Sequence, residues 1–366
     1  MRVVALSLRD FRCYRDAQVG LGERLTLVTG PNGAGKTNLL EGLYFGCTGR
    51  SCRTANEREV VRFGAEATRV VVTAVGVDGP HELSVGFSPG QPKRMRVDGA
   101  PVERLLDVSQ RPLVSVFLPD RLELIKGPPA LRRSHLDQLV AALWPARAST
   151  RRGYVRALAQ RNALIGRIRS GHASRESLAS WDSQLAAQGV ALMRDRELAV
   201  DAIAEPFRHL AGELGLAGDA SVSYRPRSRA TTPEELANEL AERTASDLER
   251  GFTGHGPHRD ELLATCQGHE LRTYGSQGQQ RLALLALLLA EREAIAERRD
   301  APPVMLLDDV MSELDRDRRE CLVELLRAGG QAVISATDLE HVPGGVDDGV
   351  TLVAVSAGRV RDGAMV

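Results

Sequence analysis

The stretch Gly30-Pro31-Asn32-Gly33-Ala34-Gly35-Lys36-Thr37 decides the fold, because two glycines enclose four residues and are followed by Lys and Thr. An apolar run at residues 25–29 predicts a strand before it, and residues 38–45 predict a helix after it. Strand, glycine-rich turn and helix form the setting of a phosphate-binding loop, since glycines let backbone N–H groups face phosphate oxygens at a helix N-terminus. The alternative is a glycine-rich turn that happens to contain a lysine.

This loop predicts a site for ATP and Mg²⁺. In such loops the lysine, here Lys36, reaches the β- and γ-phosphates, and the following hydroxyl, here Thr37, ligates Mg²⁺. The predicted nucleotide-binding residues of the loop are Gly30, Pro31, Asn32, Gly33, Ala34, Gly35, Lys36, Thr37 and Asn38.

A second segment, Val304-Met305-Leu306-Leu307-Asp308-Asp309, places two acids after four apolar residues. The apolar residues predict a buried strand, so the acids stand at its end. Asp308 is expected to hold Mg²⁺, and Asp309 to polarise the attacking water, which makes Lys36, Asp308 and Asp309 the catalytic candidates. The alternative is a plain strand end with two solvated acids.

A third segment, Ser276-Gln277-Gly278-Gln279-Gln280-Arg281, opens the strongly apolar run at residues 282–289, which predicts a helix. Ser and Gly at a helix N-terminus can bind phosphate through a hydroxyl and backbone N–H groups, so Ser276, Gly278 and Gln279 are nucleotide-binding candidates. Simple helix capping by Ser276 is the alternative. Ser312-Glu313-Leu314-Asp315 follows the paired acids directly.

Composition limits the classes of partner. Among 366 residues, Lys plus Arg and Asp plus Glu each number 48, so any basic binding surface must be local. The five cysteines are scattered without a C-x-x-C pair, which favours a reducing compartment over a disulfide framework. Neither a signal-peptide pattern nor an apolar run of membrane-spanning length is found, so a cytoplasmic protein with no membrane partner is expected.

The pattern along the chain predicts an α/β fold in which a helical segment interrupts one domain. Short alternating runs around Asp78-Gly79 and Asp98-Gly99 predict antiparallel hairpins. From about residue 132 to 250 the spacing of apolar residues is helical, and Thr232-Pro233-Glu234-Glu235 is a helix start. Strand patterns return after Gly254. We therefore predict a discontinuous domain of residues 1–120 and 252–366, interrupted by a helical arm of residues 121–251.

The four segments, in this order, resemble the ABC-type ATPase head: P-loop, S-x-G-Q signature, paired-acid strand end and D-loop. Within that superfamily the chain is similar to the RecF family of bacterial recombination proteins. Motifs along nearly the whole chain carry the likeness: Phe11-Arg12-x-Tyr14, Asn32-Gly33-Ala34-Gly35-Lys36-Thr37-Asn38-Leu39-Leu40-Glu41, Thr48-Gly49-Arg50-Ser51-Cys52-Arg53-Thr54, Pro119-Asp120-Arg121-Leu122-Glu123, Arg132-Arg133-Ser134-His135-Leu136-Asp137 and Gly256-Pro257-His258-Arg259-Asp260-Glu261.

The resemblance implies a P-loop sheet with an antiparallel β portion and an inserted α-helical arm. It implies an ATP-dependent homodimer in which the signature of one copy covers ATP held by the other. It also implies binding to double-stranded DNA near single-strand gaps, and assistance to RecA loading with RecO and RecR. The competing interpretation, an ATPase subunit of a transporter, is disfavoured because Ser276-Gln277-Gly278-Gln279 lacks a double glycine.

Two positions depart from the pattern of many ABC heads. The second acid is Asp309 where Glu is common, so we expect slow hydrolysis. The switch histidine is replaced by Ser335-Ala336-Thr337-Asp338, which leaves Thr337 or Asp338 as candidate sensors of the γ-phosphate. His341 is a weaker candidate, since a solvated surface histidine is the simpler interpretation.

The candidate DNA contacts are arginines. No Asp or Glu occurs between Asp137 and Glu176, and arginine suits bidentate contact with phosphate. The alternative for the first group is a solvated helix face, and the alternatives for the second are pairing with Glu57 or Glu59 and contact with the nucleotide of a partner. The two groups are Arg147, Arg151, Arg152 and Arg156 in the acid-free run, and Arg50 and Arg53 after the P-loop helix.

Overall fold

The computed structural model describes residues 1–108, 111–216, 218–299, 301–345 and 347–362. The chain forms two compact units. Unit 1 comprises Met1–Leu122, Glu213–Gly215 and Ile295–Val366, and unit 2 comprises Glu123–Gly212 and Leu216–Ala294.

Strands and helices are numbered along the chain. The strands are β1 Arg2–Phe11, β2 Tyr14–Gly20, β3 Leu25–Thr29, β4 Thr68–Gly76, β5 Gly79–Phe87, β6 Arg94–Val97, β7 Ala100–Val102, β8 Val114–Phe117, β9 Ala220–Arg225, β10 Glu261–Cys266, β11 His269–Glu270, β12 Val304–Asp308, β13 Ala332–Ala336, β14 Val350–Ser356 and β15 Arg359–Asp362. The helices are α1 Lys36–Thr48, α2 Glu123–Lys126, α3 Pro129–Leu143, α4 Ala148–Arg169, α5 Leu178–Glu213, α6 Pro233–Glu242, α7 Thr244–Arg250, α8 Leu271–Tyr274, α9 Gln277–Arg299 and α10 Arg316–Ala328.

Unit 1 contains two sheets. One is antiparallel, with strand order β2-β1-β4-β5-β6-β7. The other has the order β15-β14-β3-β13-β12-β8, in which all neighbours are parallel except the edge pair of β14 and β15. Every residue of β12 and β13 is buried, as expected for central strands of a parallel sheet that is covered on both faces. The predicted α/β head with an antiparallel portion is confirmed.

Helix α1 packs against both sheets of unit 1. Two glycines allow the close approach to the antiparallel sheet. A Cβ atom at Gly42 would lie 2.7 Å from Leu8 Cδ2, and one at Gly46 would lie 2.4 Å from Val72 Cγ2. The apolar side of the helix, including Leu39 and Phe45, is buried in the core. The helix that carries Lys36 and Thr37 is therefore held between two layers.

Unit 2 is built mainly of helices, and it also contains the small sheet β11-β10-β9. The predicted helix start at Thr232 is confirmed as a capping box that opens α6, in which Thr232 and Glu235 bond each other's backbone N–H. Strand β9 was not predicted, because the surrounding sequence has helical spacing. In the structure its six residues alternate between buried and more exposed positions.

The return to unit 1 falls later in the structure than the predicted position 252. Strand β10 pairs with β9 along its full length and α3 packs against it, so residues 252–294 belong to unit 2. The break after Leu122 lies close to the predicted one. Among the described residues, no helix combines the length and the apolar character that a membrane span requires.

Candidate nucleotide and magnesium site

The order of strands in the parallel sheet creates the site. Strand β13 lies between β3, which leads into the glycine-rich loop, and β12, which ends at Asp308. Asp308 is in register with Ser335, and Ser335 with Val28. Since all three strands are parallel, their carboxyl ends meet at one edge of the sheet, where open α/β sheets bind ligands.

The loop adopts the conformation that its glycines predict. Gly30, Gly33 and Gly35 have positive φ angles of 152°, 78° and 118°. At Gly30 a Cβ atom would lie 2.1 Å from the carbonyl oxygen of Val355, and at Gly35 it would lie 2.8 Å from Cys13 Sγ. Side chains are therefore excluded at both positions by conformation and by space.

Neighbouring strands hold the loop from outside. The Tyr14 hydroxyl donates to the carbonyl of Gly35 at 2.9 Å, and the N–H of Gly358 donates to the carbonyl of Ala34 at 3.0 Å. Burial raises the pKa of Tyr14, so its phenol stays protonated and keeps donating. The sequence analysis did not predict this role for either residue. Tyr14 belongs to the motif Phe11-Arg12-x-Tyr14, which could have indicated it. The position of Gly358 depends on the pairing of β14 with β3, which no local motif reveals.

Lys36 lies inside the loop that it follows. Its Nζ donates to the carbonyl oxygens of Gly30 at 2.7 Å and Pro31 at 3.2 Å, and the residue is buried. The ammonium is therefore held against the backbone carbonyls of the glycine-rich loop, which phosphate oxygens could replace as its partners.

Thr37 and Asp308 meet at the end of the sheet. The Thr37 Oγ1 donates to Asp308 Oδ2 at 2.8 Å, and Asp308 is buried. A hydroxyl beside a carboxylate, next to a loop suited to phosphates, is a donor set that suits Mg²⁺, which prefers oxygen ligands and is commonly shared with a nucleotide. The residues present therefore fit the predicted ion, and Thr37 and Asp308 are the ones that would hold it.

Asp309 begins the turn after β12 in a left-handed conformation, with φ 47° and ψ 31°. Its N–H donates to Ser335 Oγ at 3.0 Å, and its carbonyl accepts from Ser312 Oγ at 2.9 Å. Asp309 is only half-buried, whereas Asp308 is buried. The two adjacent acids therefore have different environments: the buried Asp308 suits a metal ligand, and the half-buried Asp309 suits a group that contacts water.

The signature residues lie in unit 2. Ser276 Oγ accepts from the N–H of Gln279 at 3.2 Å, and the N–H of Ser276 donates to Gln279 Oε1 at 2.8 Å. This is a reciprocal cap on α9, so the capping alternative describes the local structure. Ser276 and Gly278 are nevertheless exposed. Apart from its chain neighbours and its own helix backbone, the only described atom within 4 Å of a Cβ atom placed at Gly278 is Ser276 Oγ.

The candidate γ-phosphate sensors follow β13. Thr337 is half-buried directly after the strand. Asp338 Oδ1 accepts from the N–H of Glu340 at 3.2 Å and so caps the short helix Leu339–His341. His341 is exposed. Of the three, Thr337 has the position closest in sequence to the strand end that carries the site.

A buried carboxylate, Glu41, organises the residues beside the loop. It is fully buried on α1 and accepts from Arg12 Nε and Nη2 at 2.9 and 2.7 Å, and from Arg53 Nη1 at 3.3 Å. Arg53 Nη1 also donates to Asn38 Oδ1 at 2.9 Å. Arg53 and Asn38 are thus tied to each other inside unit 1, while Arg50 is exposed.

The acid-free run forms the end of α3, the following turn and α4. Arg147 is paired with Asp195 and Arg151 with Asp137. Arg151, Arg152 and Arg156 are exposed on α4. Arg161, which also belongs to the run, is fully buried between Asp182 and Asp247 and is a structural residue. Only part of the arginine run therefore forms an exposed surface.

The fold and the site define the class: this chain is an ATPase head of the ABC type. A profile described as an AAA domain matches residues 5–81. The fold is similar to that of the Smc head domain from Pyrococcus furiosus, with a TM-score of 0.59 at 17% identity over 98% of this chain and 95% of that one.

Within that class the chain belongs to the RecF family. It is 38% identical to the DNA replication and repair protein RecF of Anaeromyxobacter sp. (strain Fw109-5), over 98% of this chain and 99% of that protein. For the RecF of Heliobacterium modesticaldum the identity is 36%, over 93% of each chain. A solved structure of the recombination mediator protein RecF-ATP in the RecFOR pathway gives a TM-score of 0.87 at 27% identity, covering 99% of this chain and 98% of that one. The transporter interpretation is not favoured.

Proposed function

We propose that the chain is an ATP-dependent DNA-binding protein of recombinational repair and replication-fork maintenance. ATP and Mg²⁺ bind at the loop of Lys36 and Thr37, and two copies close on duplex DNA beside a single-strand gap. Slow hydrolysis then releases them. The observation that carries the proposal is the hydrogen bond between Thr37 and Asp308, which supports an Mg²⁺-ATP site in this member of the RecF family.

The exposure of the signature residues Ser276 and Gly278 supports dimer closure. Ser276 and Gly278 form an exposed N-terminus on a helix of 23 residues, and they belong to a different unit from the phosphate loop. A helix N-terminus favours anionic groups. In the proposed dimer this end of α9 contacts the γ-phosphate of ATP that is bound to the other copy, so ATP joins the two.

Hydrolysis is assigned to residues with distinct roles. The loop N–H groups and Lys36 bind and orient the phosphates, while Thr37 and Asp308 hold Mg²⁺, which neutralises charge on the β- and γ-oxygens when it is bound. Asp309 orients the attacking water, and Thr337 senses the γ-phosphate. The shorter side chain of aspartate supports slow turnover, as suits a switch.

Membership of the RecF family supports the proposed DNA and protein partners. The candidates for phosphate contact include the exposed residues Arg50, Arg152 and Arg156. Arg53, Arg147 and Arg151 form ion pairs with Glu41, Asp195 and Asp137, which DNA would have to displace. The relative in the RecFOR pathway supports mediators of the RecO and RecR type, which assist RecA loading in the cytoplasm. In this proposal the phosphate loop of the discontinuous head binds ATP, while DNA is contacted by arginines of both the head and the arm.

The test measures binding of gapped duplex DNA by fluorescence anisotropy with ATP and Mg²⁺, with ADP, and without nucleotide. We expect tight binding only with ATP, lost in Lys36→Ala and weakened in Ser276→Arg, whose long side chain obstructs the dimer interface. Arg316→Ala, on an exposed face of α10, is the control and should bind as the wild type does. Equal, negligible binding in all three conditions would refute the DNA switch.

A further inference from the structure

Ser335 is a polar residue in a strand that is otherwise apolar. Strand β13 reads Ala332-Val333-Ile334-Ser335-Ala336, and each of these residues is buried. The relative exposure of Ser335 is 0%. A buried hydroxyl is costly unless it is hydrogen-bonded, so its partners explain why it is tolerated there.

Both partners of the Ser335 hydroxyl belong to the paired acids. Ser335 Oγ donates to Asp308 Oδ1 at 2.6 Å, and it accepts from the N–H of Asp309 at 3.0 Å. The other carboxylate oxygen of Asp308 accepts from Thr37 Oγ1. One hydroxyl therefore fixes the rotation of the Asp308 carboxylate and the backbone of Asp309 together.

The second bond matters because Asp309 has a positive φ of 47°, which non-glycine residues seldom adopt. A strained backbone persists where its surroundings hold it in place. The N–H of Asp309 is bound by Ser335, and its carbonyl is bound by Ser312. The direction in which the chain leaves β12 thus depends on the same serine that orients the carboxylate of Asp308.

We infer that Ser335 is a positioning residue of the ATPase site, which sets the orientation of Asp308 towards Mg²⁺ and the place of Asp309 after it. The inference rests on the proposed Mg²⁺-dependent ATP binding and hydrolysis. Ser335 acts through the two acids and has no contact of its own with the reacting atoms. The partners that orient a metal-ligating carboxylate strongly affect metal affinity, by about 10–100-fold when they are removed.

The test titrates Mg²⁺ against binding of an ATP analogue with a fluorescent group on its ribose, using the full chain. In Ser335→Ala we expect the Mg²⁺ concentration at half-maximal binding to rise about 10–100-fold, with Mg²⁺-free binding unchanged. The kcat for ATP should fall at saturating Mg²⁺ because Asp309 is no longer anchored. Ser335→Thr keeps the hydroxyl and should restore both.

Two controls separate positioning from a general loss of packing. Ser84→Ala removes another buried strand hydroxyl of unit 1, on β5, and should leave the Mg²⁺ dependence unchanged. In an Asp308→Asn background, Ser335→Ala should add no further shift, because its effect passes through that carboxylate. If the alanine variant does not fold, Ser335→Cys repeats the titration with a side chain of similar size and a weak donor.

The inference would be overturned if folded Ser335→Ala showed the Mg²⁺ dependence of the wild type. It would also be overturned if Ser335→Ala and Asp308→Asn shifted the Mg²⁺ concentration at half-maximal binding independently of each other. The behaviour of the wild type distinguishes failure of the inference about Ser335 from failure of the proposed function. If the wild type binds the analogue in an Mg²⁺-dependent way while Ser335→Ala matches it, only the role of Ser335 is wrong. If the wild type binds no analogue at any Mg²⁺ concentration, the proposed function itself fails.

Discussion

Thr37 Oγ1 donates a hydrogen bond to Asp308 Oδ2 at 2.8 Å, although the two residues are 271 positions apart in the chain. The first residue lies in the first turn of α1, which follows β3, and the second ends β12. Neither strand contacts the other, because β13 lies between them. The bond therefore depends on the order of three strands, and it joins the helix after the glycine-rich loop to the acid that we propose holds Mg²⁺.

Replacing Asp308 by Asn should abolish Mg²⁺-dependent hydrolysis and spare Mg²⁺-free ATP binding. The amide keeps the shape of the side chain but removes the charge that holds the ion, a loss of several kcal/mol or about 100-fold or more in rate. Steady-state hydrolysis and equilibrium ATP binding measure the two effects. Asp317→Asn, an exposed acid in the first turn of α10, should behave as the wild type. Full activity in Asp308→Asn would contradict the assignment.

Replacing Asp309 by Asn should reduce kcat by about 10²–10⁴-fold, the usual contribution of a positioned acid or base. ATP affinity should be unchanged, because Asp309 is assigned to water and not to the nucleotide. Asparagine tolerates a φ of 47°, so the turn is preserved. If kcat survives in Asp309→Asn, another group must orient the water, and Thr337 is the next residue to replace.

Replacing Gly46 by Ala should destabilise the protein by about 1–3 kcal/mol, because the added methyl group is forced into Val72 across the helix–sheet contact. Gly166 is the matched control, since it is an exposed helical glycine on α4 with nothing within 4 Å of a Cβ atom. Gly166→Ala should stabilise by up to about 1 kcal/mol through helix propensity. Urea unfolding measures both changes, and equal effects at the two sites would refute the tight packing.

Burial lowers the pKa of His258 from 6.5 to about 4. Nearby Arg259 and Arg133 also lower it, whereas the hydrogen bond to Thr253 and the charge of Asp247 raise it. The neutral ring fits its contacts: Tyr154 Oη lies 2.7 Å from Nδ1, and Nε2 lies 2.9 Å from the carbonyl oxygen of Thr253. Tyr154 therefore donates to Nδ1, and Nε2–H donates to the carbonyl.

Because the folded state binds this proton less readily than the unfolded state, His258 contributes no penalty above pH 6.5. It destabilises the fold progressively as the pH falls from 6.5 towards 4, by up to about 3 kcal/mol. Urea unfolding between pH 7.5 and 4.5 should show this loss in the wild type and a smaller loss in His258→Asn. Identical pH slopes in the two proteins would refute the contribution of His258.

Replacing Arg156 by Ala should weaken DNA binding uniformly across sequences and reduce the slope of log affinity against log salt by about 1. Arg156 is exposed on α4, and no ion pair joins it within the described ranges. Anisotropy titrations at several salt concentrations give the slope. Arg316→Ala on α10 is again the control. An unchanged slope would place the DNA surface elsewhere than α4.

Much of the local structure was predictable. The glycine-rich loop, the helix after it, the apolar strand before the acids and the capping box at Thr232 each depend on residues within a short stretch. Strand β9 was missed because six alternating residues inside a long helical region give a weak signal. The later return to unit 1 was missed because it depends on the pairing of β10 with β9.

The roles of individual arginines were not predictable. Arg161 and Arg156 are close neighbours in the same basic run, yet one is fully buried between two carboxylates and the other is exposed. The difference arises because Arg161 faces α5 and α7, where its partners Asp182 and Asp247 lie. The composition of the run does not reveal which face of α4 each arginine occupies. The same holds for Glu41, which a sequence shows only as one acid in a helix.

The sequence by itself determined which residues are proposed to carry the chemistry, because loop conformation, helix start and strand burial follow from neighbouring residues in the chain. It determined the family as well, through motifs spread along nearly the whole length. Only the tertiary structure decided how those residues are oriented. Ser335 and Gly358 reach the site through the order and register of the parallel sheet, and Tyr14 reaches it from the antiparallel sheet. Such long-range placement is set by the packing of whole sheets.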